Sequence, residues 1–238
     1  MRIGSDFEKI KFDFYGFHLL EPNAFIGDVL LFLIAMFLVY KIGKYNSNSA
    51  FSKHFRIFLL LYSLSFFMGG LGHLLFNYWS IPGKYASWFG AFFVSYFVEK
   101  AMISLHPNLK TQVFLNKISM FKLLGMILLE IVLLINVDIS NDPSIGLIFP
   151  ALNSTIGLGF SLGILGYYFQ KKIDGSFKYL WMSTLVALPS LPFQSLKINI
   201  HPWFDRNDFS HLLLVISLLF YWKFIDAYYR KAISPVII

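Results

Sequence analysis

Long apolar runs separated by short polar loops dominate the chain from residue 22 onward. A helix that crosses a membrane needs about 20 mostly apolar residues. Seven segments meet this requirement, approximately residues 22–41, 55–79, 85–105, 118–137, 145–169, 177–196 and 208–229. The sixth contains Pro189 and Pro192, and such a break is tolerated at membrane depth where the freed carbonyls face protein or water. The pattern predicts an all-α fold, an integral membrane bundle of seven transmembrane helices.

The composition supports a membrane protein and limits its chemistry. Of the 238 residues, 57% are hydrophobic and 14% are charged, whereas soluble domains carry about 25% charged residues. There is no cysteine, which excludes disulfides, thiolate metal sites and cysteine nucleophiles. We divide the chain into an N-terminal outer segment (1–21), a transmembrane domain (22–231) and a short cytoplasmic tail (232–238).

The basic residues alternate between the predicted loops. The loops after the first, third and fifth helices are basic, as is the C-terminus with Arg230 and Lys231, whereas the intervening loops are acidic or balanced. Because basic loops stay in the cytoplasm, the N-terminus is predicted outside and the C-terminus inside. This distribution accounts for the net charge of +7 without nucleic acid. We expect membrane lipid as the partner and the bacterial inner (plasma) membrane as the location.

Several ionisable residues lie within the predicted helices, where the cost of a charge makes each a candidate functional residue. The helical rise places Asp28 and His73 about 9 Å, and His211 about 6 Å, from the outer ends of helices one, two and seven. These three groups therefore share one layer if the helices close into a ring. Asp208 lies three residues before His211, on the same helical face. The sequence predicts a polar site that faces the outer side.

Further candidates surround this layer or lie apart from it: Glu21 two turns above Asp28, Asn207 beside Asp208, His201 in the loop above, and Glu130 alone within helix four. Structural roles compete with functional ones. Asn207 and Asp208 suit a helix N-terminus, and the glycines before His73 allow close helix packing. Glu99 is interpreted as an ordinary interfacial charge.

The seven helices, the outer N-terminus, His73 late in helix two and His211 early in helix seven resemble the alkaline ceramidase superfamily, which includes the adiponectin-receptor-like proteins. The resemblance implies a membrane hydrolase whose zinc activates water against an amide or ester carbonyl of a lipid. His73 and His211 then match zinc ligands and Asp208 supplies the third ligand. Asp28 acts either as general base or as a residue that supports the ligands without binding the metal. The family's second helix-seven histidine is replaced here by Asn207, and its helix-two serine by Gly69.

Three other hypotheses remain open on the sequence. In the first, the chain is a non-enzymatic binding or transport protein, with Asp28, Glu130 and the broken sixth helix lining a solute or proton path. In the second, it is a haem protein with His73 and His211 as axial ligands. In the third, it is a structural membrane subunit whose polar layer only holds the helices together.

Overall fold

A short hairpin precedes a bundle of helices in the computed structural model, which describes residues 1–45 and 47–233. The hairpin strands are β1 (Lys11–Phe14) and β2 (Phe17–Leu20). The helices are α1 (Pro22–Lys44), α2 (Ala50–Leu74), α3 (Phe76–Trp79), α4 (Pro82–Ile103), α5 (Leu109–Asn136), α6 (Ile148–Leu158), α7 (Gly166–Lys172), α8 (Lys178–Ala187), α9 (Ser190–Ser195) and α10 (Arg206–Ile233). A 3-10 turn (Pro143–Leu147) leads into α6, and a π-helical segment (Gly159–Leu165) joins α6 to α7.

Five helical segments in the described part of the chain are long and apolar enough to cross a membrane. They are α1, α2, α5, the continuous stretch Pro143–Lys172 and most of α10, Arg206–Lys231. The chain is therefore a polytopic membrane protein. The third and sixth predicted spans correspond to α4 and to the pair α8–α9. The sixth is broken between Ala187 and Ser190, at Pro189, whereas Pro192 lies within α9.

Several predicted boundaries are wrong by a turn or more. The second helix ends at Leu74 rather than at residue 79. The fourth begins at Leu109 rather than 118, because the Asn108 side chain accepts a hydrogen bond from the Thr111 amide at 3.1 Å and so caps the helix. The last helix continues to Ile233, so the predicted tail 232–238 begins inside a helix. Its residues 234–238 lie outside the described part of the chain.

The hairpin is an element that the sequence analysis missed. Tyr15 and Gly16 form its two-residue turn, and both have positive φ, 47° and 83°. That combination gives the type I′ geometry which matches the twist of paired strands. The hairpin belongs to a segment, residues 1–20, that we call the N-terminal strap. Arg2 exchanges backbone hydrogen bonds with Asn199, and the His18 amide donates to the Tyr78 hydroxyl at 2.9 Å. The strap thus ties together the helix ends on its side of the bundle.

The apolar core lies in the half of the bundle that carries the basic loops. Aromatic rings from α2, α10 and the turn before α8 pack there. Phe51 and Phe55 are stacked with centroids 5.3 Å apart, and Phe177 and Phe224 meet edge to face with centroids 5.1 Å apart. Lipid is as apolar as these side chains, so close packing rather than escape from water stabilises the contact. On α5, by contrast, Phe121 and Ile135 are exposed, as suits a lipid-facing helix.

Candidate functional site

Asp28 and His211 form a buried acid–base pair between α1 and α10. The Asp28 Oδ1 lies 3.2 Å from the His211 Nε2, and the two residues are 3% and 9% exposed. Helix α1 packs between α2 and α10. A Cβ added at Gly70 of α2 would lie 2.9 Å from the Asp28 Cβ, so this glycine makes room for the carboxylate. The prediction that Asp28 and His211 lie close together is therefore confirmed.

The second ring nitrogen of His211, Nδ1, is packed against α1. It is buried and lacks a hydrogen bond within the described residues. The ring lies directly against Gly27, where an added Cβ would clash with Nδ1. Phe66 of α2 contacts the same ring edge-on, with centroids 6.2 Å apart. Packing thus fixes the imidazole beside Asp28, and no described residue forms a hydrogen bond with its other ring nitrogen.

His73 belongs to a different cluster, at the end of the bundle beneath the strap. Its Nδ1 lies 2.9 Å from the Glu21 Oε2, which also accepts a hydrogen bond from the Lys9 ammonium at 2.6 Å. Glu21 precedes α1 with a left-handed backbone, φ 49°. Burial raises the pKa of Glu21, but the neighbouring His73 and Lys9 lower it more, so this pKa lies below its ordinary value. Glu21 is therefore an anion that holds two basic groups.

Lys84 completes this cluster and was missed in the sequence. Its Nζ lies 3.4 Å from the His73 Nδ1, and the residue is only 9% exposed. The backbones of α2 and α4 approach closely here, since a Cβ at Gly72 would lie 2.7 Å from the Gly83 carbonyl oxygen. The glycines that directly precede His73 and Lys84 could have revealed this contact from the sequence, because small residues that face each other predict a close helix crossing.

Asp208 caps α10 together with Asp205. The Asp205 Oδ1 accepts from the amides of Asn207 and Asp208 at 2.7 and 3.2 Å, and the Asp208 Oδ2 accepts from the Asp205 amide at 2.9 Å. This is a reciprocal capping box. Burial and the neighbouring Asp208 carboxylate raise the pKa of Asp205. The Asp208 Oδ2 also accepts from the Asn23 amide group at 2.7 Å. The capping role predicted for Asp208 is confirmed, and the same carboxylate links α10 to α1.

The remaining candidates lie apart from the Asp28–His211 pair. The Asn207 Oδ1 accepts from the Gln194 side chain at 3.2 Å. His201 is exposed in the loop before α10, where its Nδ1 accepts from the Trp203 amide. Glu130 is fully buried on α5, and neither of its oxygens has a partner within the described residues. The predicted single layer is thus divided, with His73 bound to Glu21 and His211 paired with Asp28.

The predicted zinc ligands do not fit a zinc ion in this arrangement. A catalytic zinc takes three protein ligands at about 2.0–2.2 Å. The Lys84 ammonium lies beside the His73 ring, and the Asp208 Oδ2 already accepts from two N–H groups. The described residues contain no group of three or more His, Asp or Glu side chains that could hold a metal ion.

A second buried polar cluster lies where α4, α5 and α6 meet. Glu99 is 4% exposed, and its Oε1 lies 2.5 Å from the Lys122 Nζ. The interpretation of Glu99 as an interfacial charge is therefore wrong. The pairing was not predicted because helix four was expected to begin at residue 118, which put Lys122 near a helix end. The observed helix α5 is longer and has Lys122 close to its centre.

A model of a protein family of unknown function, DUF6962, matches residues 24–228. The chain belongs to the DUF6962 family. In this member the match includes Asp28, His73, Lys122 and His211 and ends five residues before α10 does. No curated protein and no solved structure matches the sequence. The likeness to the alkaline ceramidase superfamily stays a prediction.

Proposed function

We propose that this DUF6962 member is a non-enzymatic transport protein that binds and passes protons, with Asp28–His211 as its outer protonation site. One observation carries the proposal: a carboxylate and an imidazole, 3.2 Å apart, are buried between two membrane-length helices, and the second imidazole nitrogen has no described partner. Ionisable groups inside a membrane are costly and are typical of proton relays.

The chemistry of the pair suits a proton rather than a larger substrate. Histidine changes charge near neutral pH and carries a proton on either ring nitrogen. If His211 takes up a proton, the adjacent Asp28 carboxylate compensates the new charge, so that the low-dielectric interior never holds an isolated cation. The tight packing of the ring against Gly27 and Phe66 favours a proton over a lipid headgroup as the group that binds at this pair.

The His73 cluster supplies polar groups between this pair and the strap side. Lys9 has a side chain that is 40% exposed, and it contacts Glu21, which in turn contacts His73. Lys84 lies beside the same ring. These groups give water and protons a polar approach to the helix ends next to α1.

The proposal includes seven membrane crossings, with the strap outside and the C-terminus in the cytoplasm of a bacterium. Helix α4 has 22 residues, a length of about 33 Å, which matches a hydrocarbon core of about 30 Å. The alternation of basic loops supports this orientation. A broken helix such as α8–α9 is a recurrent element of transport proteins.

The zinc-dependent lipid hydrolase is the competing hypothesis. It rests on the positions of His73 and His211 in the sequence, and the contacts of His73 and Asp208 described above do not favour it. Metal analysis of the purified protein separates the two hypotheses. Stoichiometric zinc that is lost in both His73→Ala and His211→Ala would favour the hydrolase.

Proton transport is tested directly in liposomes. The purified protein is reconstituted with a pH-sensitive dye inside, and an inside-negative potassium diffusion potential drives proton entry. We expect acidification with the wild-type protein and its loss in Asp28→Asn and His211→Ala. His201→Ala is the matched control, because this histidine is exposed in a loop on the same side, and it should retain the wild-type rate. Wild-type liposomes as tight as empty ones would overturn the proposal.

A further inference from the structure

Four oxygens surround one half-buried ammonium group between α4, α5 and α6. The Lys122 Nζ lies 2.5 Å from the Glu99 Oε1, 2.7 Å from the Asn153 Oδ1, 3.0 Å from the Ser95 Oγ and 3.4 Å from the Asn153 carbonyl oxygen. We call these three oxygen-bearing residues, Ser95, Glu99 and Asn153, the oxygen cage. It holds one carboxylate and three neutral oxygens around a single positive charge.

The oxygen cage offers more acceptors than its occupant can use. An ammonium group has three N–H donors and no acceptor, whereas four oxygens lie within 3.4 Å of Lys122. The second carboxylate oxygen of Glu99 is held separately by the Ser119 hydroxyl. The Asn153 carbonyl oxygen also accepts from the Ser95 hydroxyl, at 3.1 Å. Four oxygens that converge on one point are the arrangement that coordinates a spherical cation, which has no directional donors.

The residues of the oxygen cage are buried within the bundle. Lys122 is 14 residues from Asn136 and 13 from Leu109 by the bounds of α5, which places it about 20 Å from either end of this helix. Glu99, Ser119 and Asn153 are almost completely buried. In such a place one negative charge requires one positive charge, because an unpaired carboxylate would bear its full desolvation cost.

Helix α6 forms one wall of the oxygen cage by its backbone. A Cβ at Gly157 would lie 2.5 Å from the Glu99 Oε1 and 3.1 Å from the Lys122 Nζ, so any other residue there would intrude into the site. Two residues later the chain enters the π-helical segment Gly159–Leu165. Such segments interrupt the regular hydrogen-bond ladder and are frequent at functional sites.

We infer that the oxygen cage is a binding site for one monovalent alkali cation, such as Na⁺, and that the Lys122 ammonium occupies it in the present conformation. The two occupants exclude each other, because Glu99 balances only one positive charge. Carboxylate, hydroxyl, amide and carbonyl oxygens are the ligands by which membrane transporters hold Na⁺. The inference adds cation binding to the proposed proton transport. It rests on different residues, so either can fail alone.

The inference is tested by removing the internal occupant. Lys122→Ala and Lys122→Gln leave the oxygens in place, and thermal unfolding in detergent is compared in NaCl and in choline chloride at equal ionic strength. We expect both variants to be less stable than the wild type in choline, and their Tm to rise saturably with NaCl, as for a ligand that binds the folded state. The wild type should have the same Tm in both salts, since Lys122 fills its site.

Two control variants test whether the dependence of Tm on NaCl arises at the oxygen cage. Lys117→Ala removes an exposed lysine from the same helix and should show no dependence on NaCl. In the double variant Lys122→Ala/Glu99→Gln the cation has lost its counter-charge, so the dependence should disappear. Equal Tm of both single variants in NaCl and choline would overturn the inference. A NaCl effect that persists in the double variant would also overturn the inference. So would failure of both single variants to fold in either salt, because a bound cation should neutralise Glu99.

Discussion

At the residue scale, Gly27 determines how close His211 comes to α1. The imidazole lies where the side chain of any other residue at position 27 would begin. Gly125 of α5 offers a matched comparison, because a Cβ added there would meet nothing within 4 Å. Both glycines lie inside helices, where alanine has the higher helix propensity by about 1 kcal/mol. The two positions therefore separate helix propensity from contact with His211.

We predict that Gly27→Ala destabilises the protein and that Gly125→Ala does not. Overpacking a closely packed site costs about 1–3 kcal/mol, which exceeds the gain in helix propensity, and it displaces His211 from Asp28. Thermal unfolding in detergent measures the difference, and the liposome assay should show slower proton entry for Gly27→Ala alone. A Gly27→Ala protein with wild-type Tm and proton entry would contradict the packing described for His211.

A second residue-scale prediction concerns pH and Glu21. His73 and Lys9 hold the pKa of this carboxyl below its unfolded value of 4.5, although burial opposes them. A group whose pKa is lower in the folded state contributes stability that is present above the unfolded pKa and lost as the pH falls toward the folded one. We predict that the Tm of the wild type falls as the pH drops below about 5, and that Glu21→Gln flattens this dependence.

Glu8 provides the control for this titration. Its carboxyl is paired with Lys11, and its pKa is also lowered, by that lysine, but the pair is exposed, where ion pairs contribute little to stability. Glu8→Gln should therefore leave the acid branch of the Tm curve unchanged. Identical curves for Glu21→Gln and the wild type would show that Glu21 does not contribute to the acid sensitivity.

The sequence identified several of the buried ionisable residues but not how they pair. Asp28, His73 and His211 were found because a charge is costly inside a membrane. Their pairing depends on how each helix is rotated about its axis, which one sequence does not specify to within one residue. Lys84 and Lys122 were missed because they lay close to predicted helix ends, where a lysine is ordinary.

At the element scale, the capping box of α10 separates two roles of Asp208. A capping carboxylate accepts backbone N–H groups, and an asparagine oxygen can do the same, whereas a zinc ligand needs the negative charge. We predict that Asp205→Ala costs about 1 kcal/mol of stability, as is typical for an N-cap residue, and that Asp208→Asn costs less. Chemical or thermal unfolding measures both. No change in Asp205→Ala would contradict the cap, and loss of bound zinc in Asp208→Asn would favour the hydrolase.

The presence of each long helix was easier to predict than the residues at which it begins and ends. The five most apolar runs correspond to α1, α2, α5, the stretch Pro143–Lys172 and α10, because their length and hydropathy suffice without tertiary information. The start of α5 depended on one capping side chain, Asn108. The hairpin depended on a turn at Tyr15 and Gly16 between strands of only four residues each, a pattern too short to distinguish from a loop.

At the scale of the whole molecule, the number of crossings decides which loops share a side of the membrane. Helix α4 lies along α2, since Gly83 contacts Gly72 at one end and Gly90 contacts Ser65 further along. We predict that a helix packed in this way crosses the membrane together with its membrane-spanning neighbour. If instead α4 and α8–α9 did not cross, five helices would span the membrane, and every loop between α4 and α8 would change sides.

Single cysteines distinguish seven crossings from five, since the chain has no cysteine of its own. Four exposed positions serve as sites: Tyr15 in the strap, Asn48 between α1 and α2, Lys110 at the start of α5 and Ser140 after α5. With seven crossings and an outer strap, a membrane-impermeant maleimide applied to intact cells should label Tyr15→Cys and Ser140→Cys, whereas Asn48→Cys and Lys110→Cys react only after permeabilisation. Five crossings would exchange the results for Lys110→Cys and Ser140→Cys and leave the other two unchanged. Because Asp28 and His211 lie near the strap side of α1 and α10, the label on Tyr15→Cys also establishes from which side a proton reaches them.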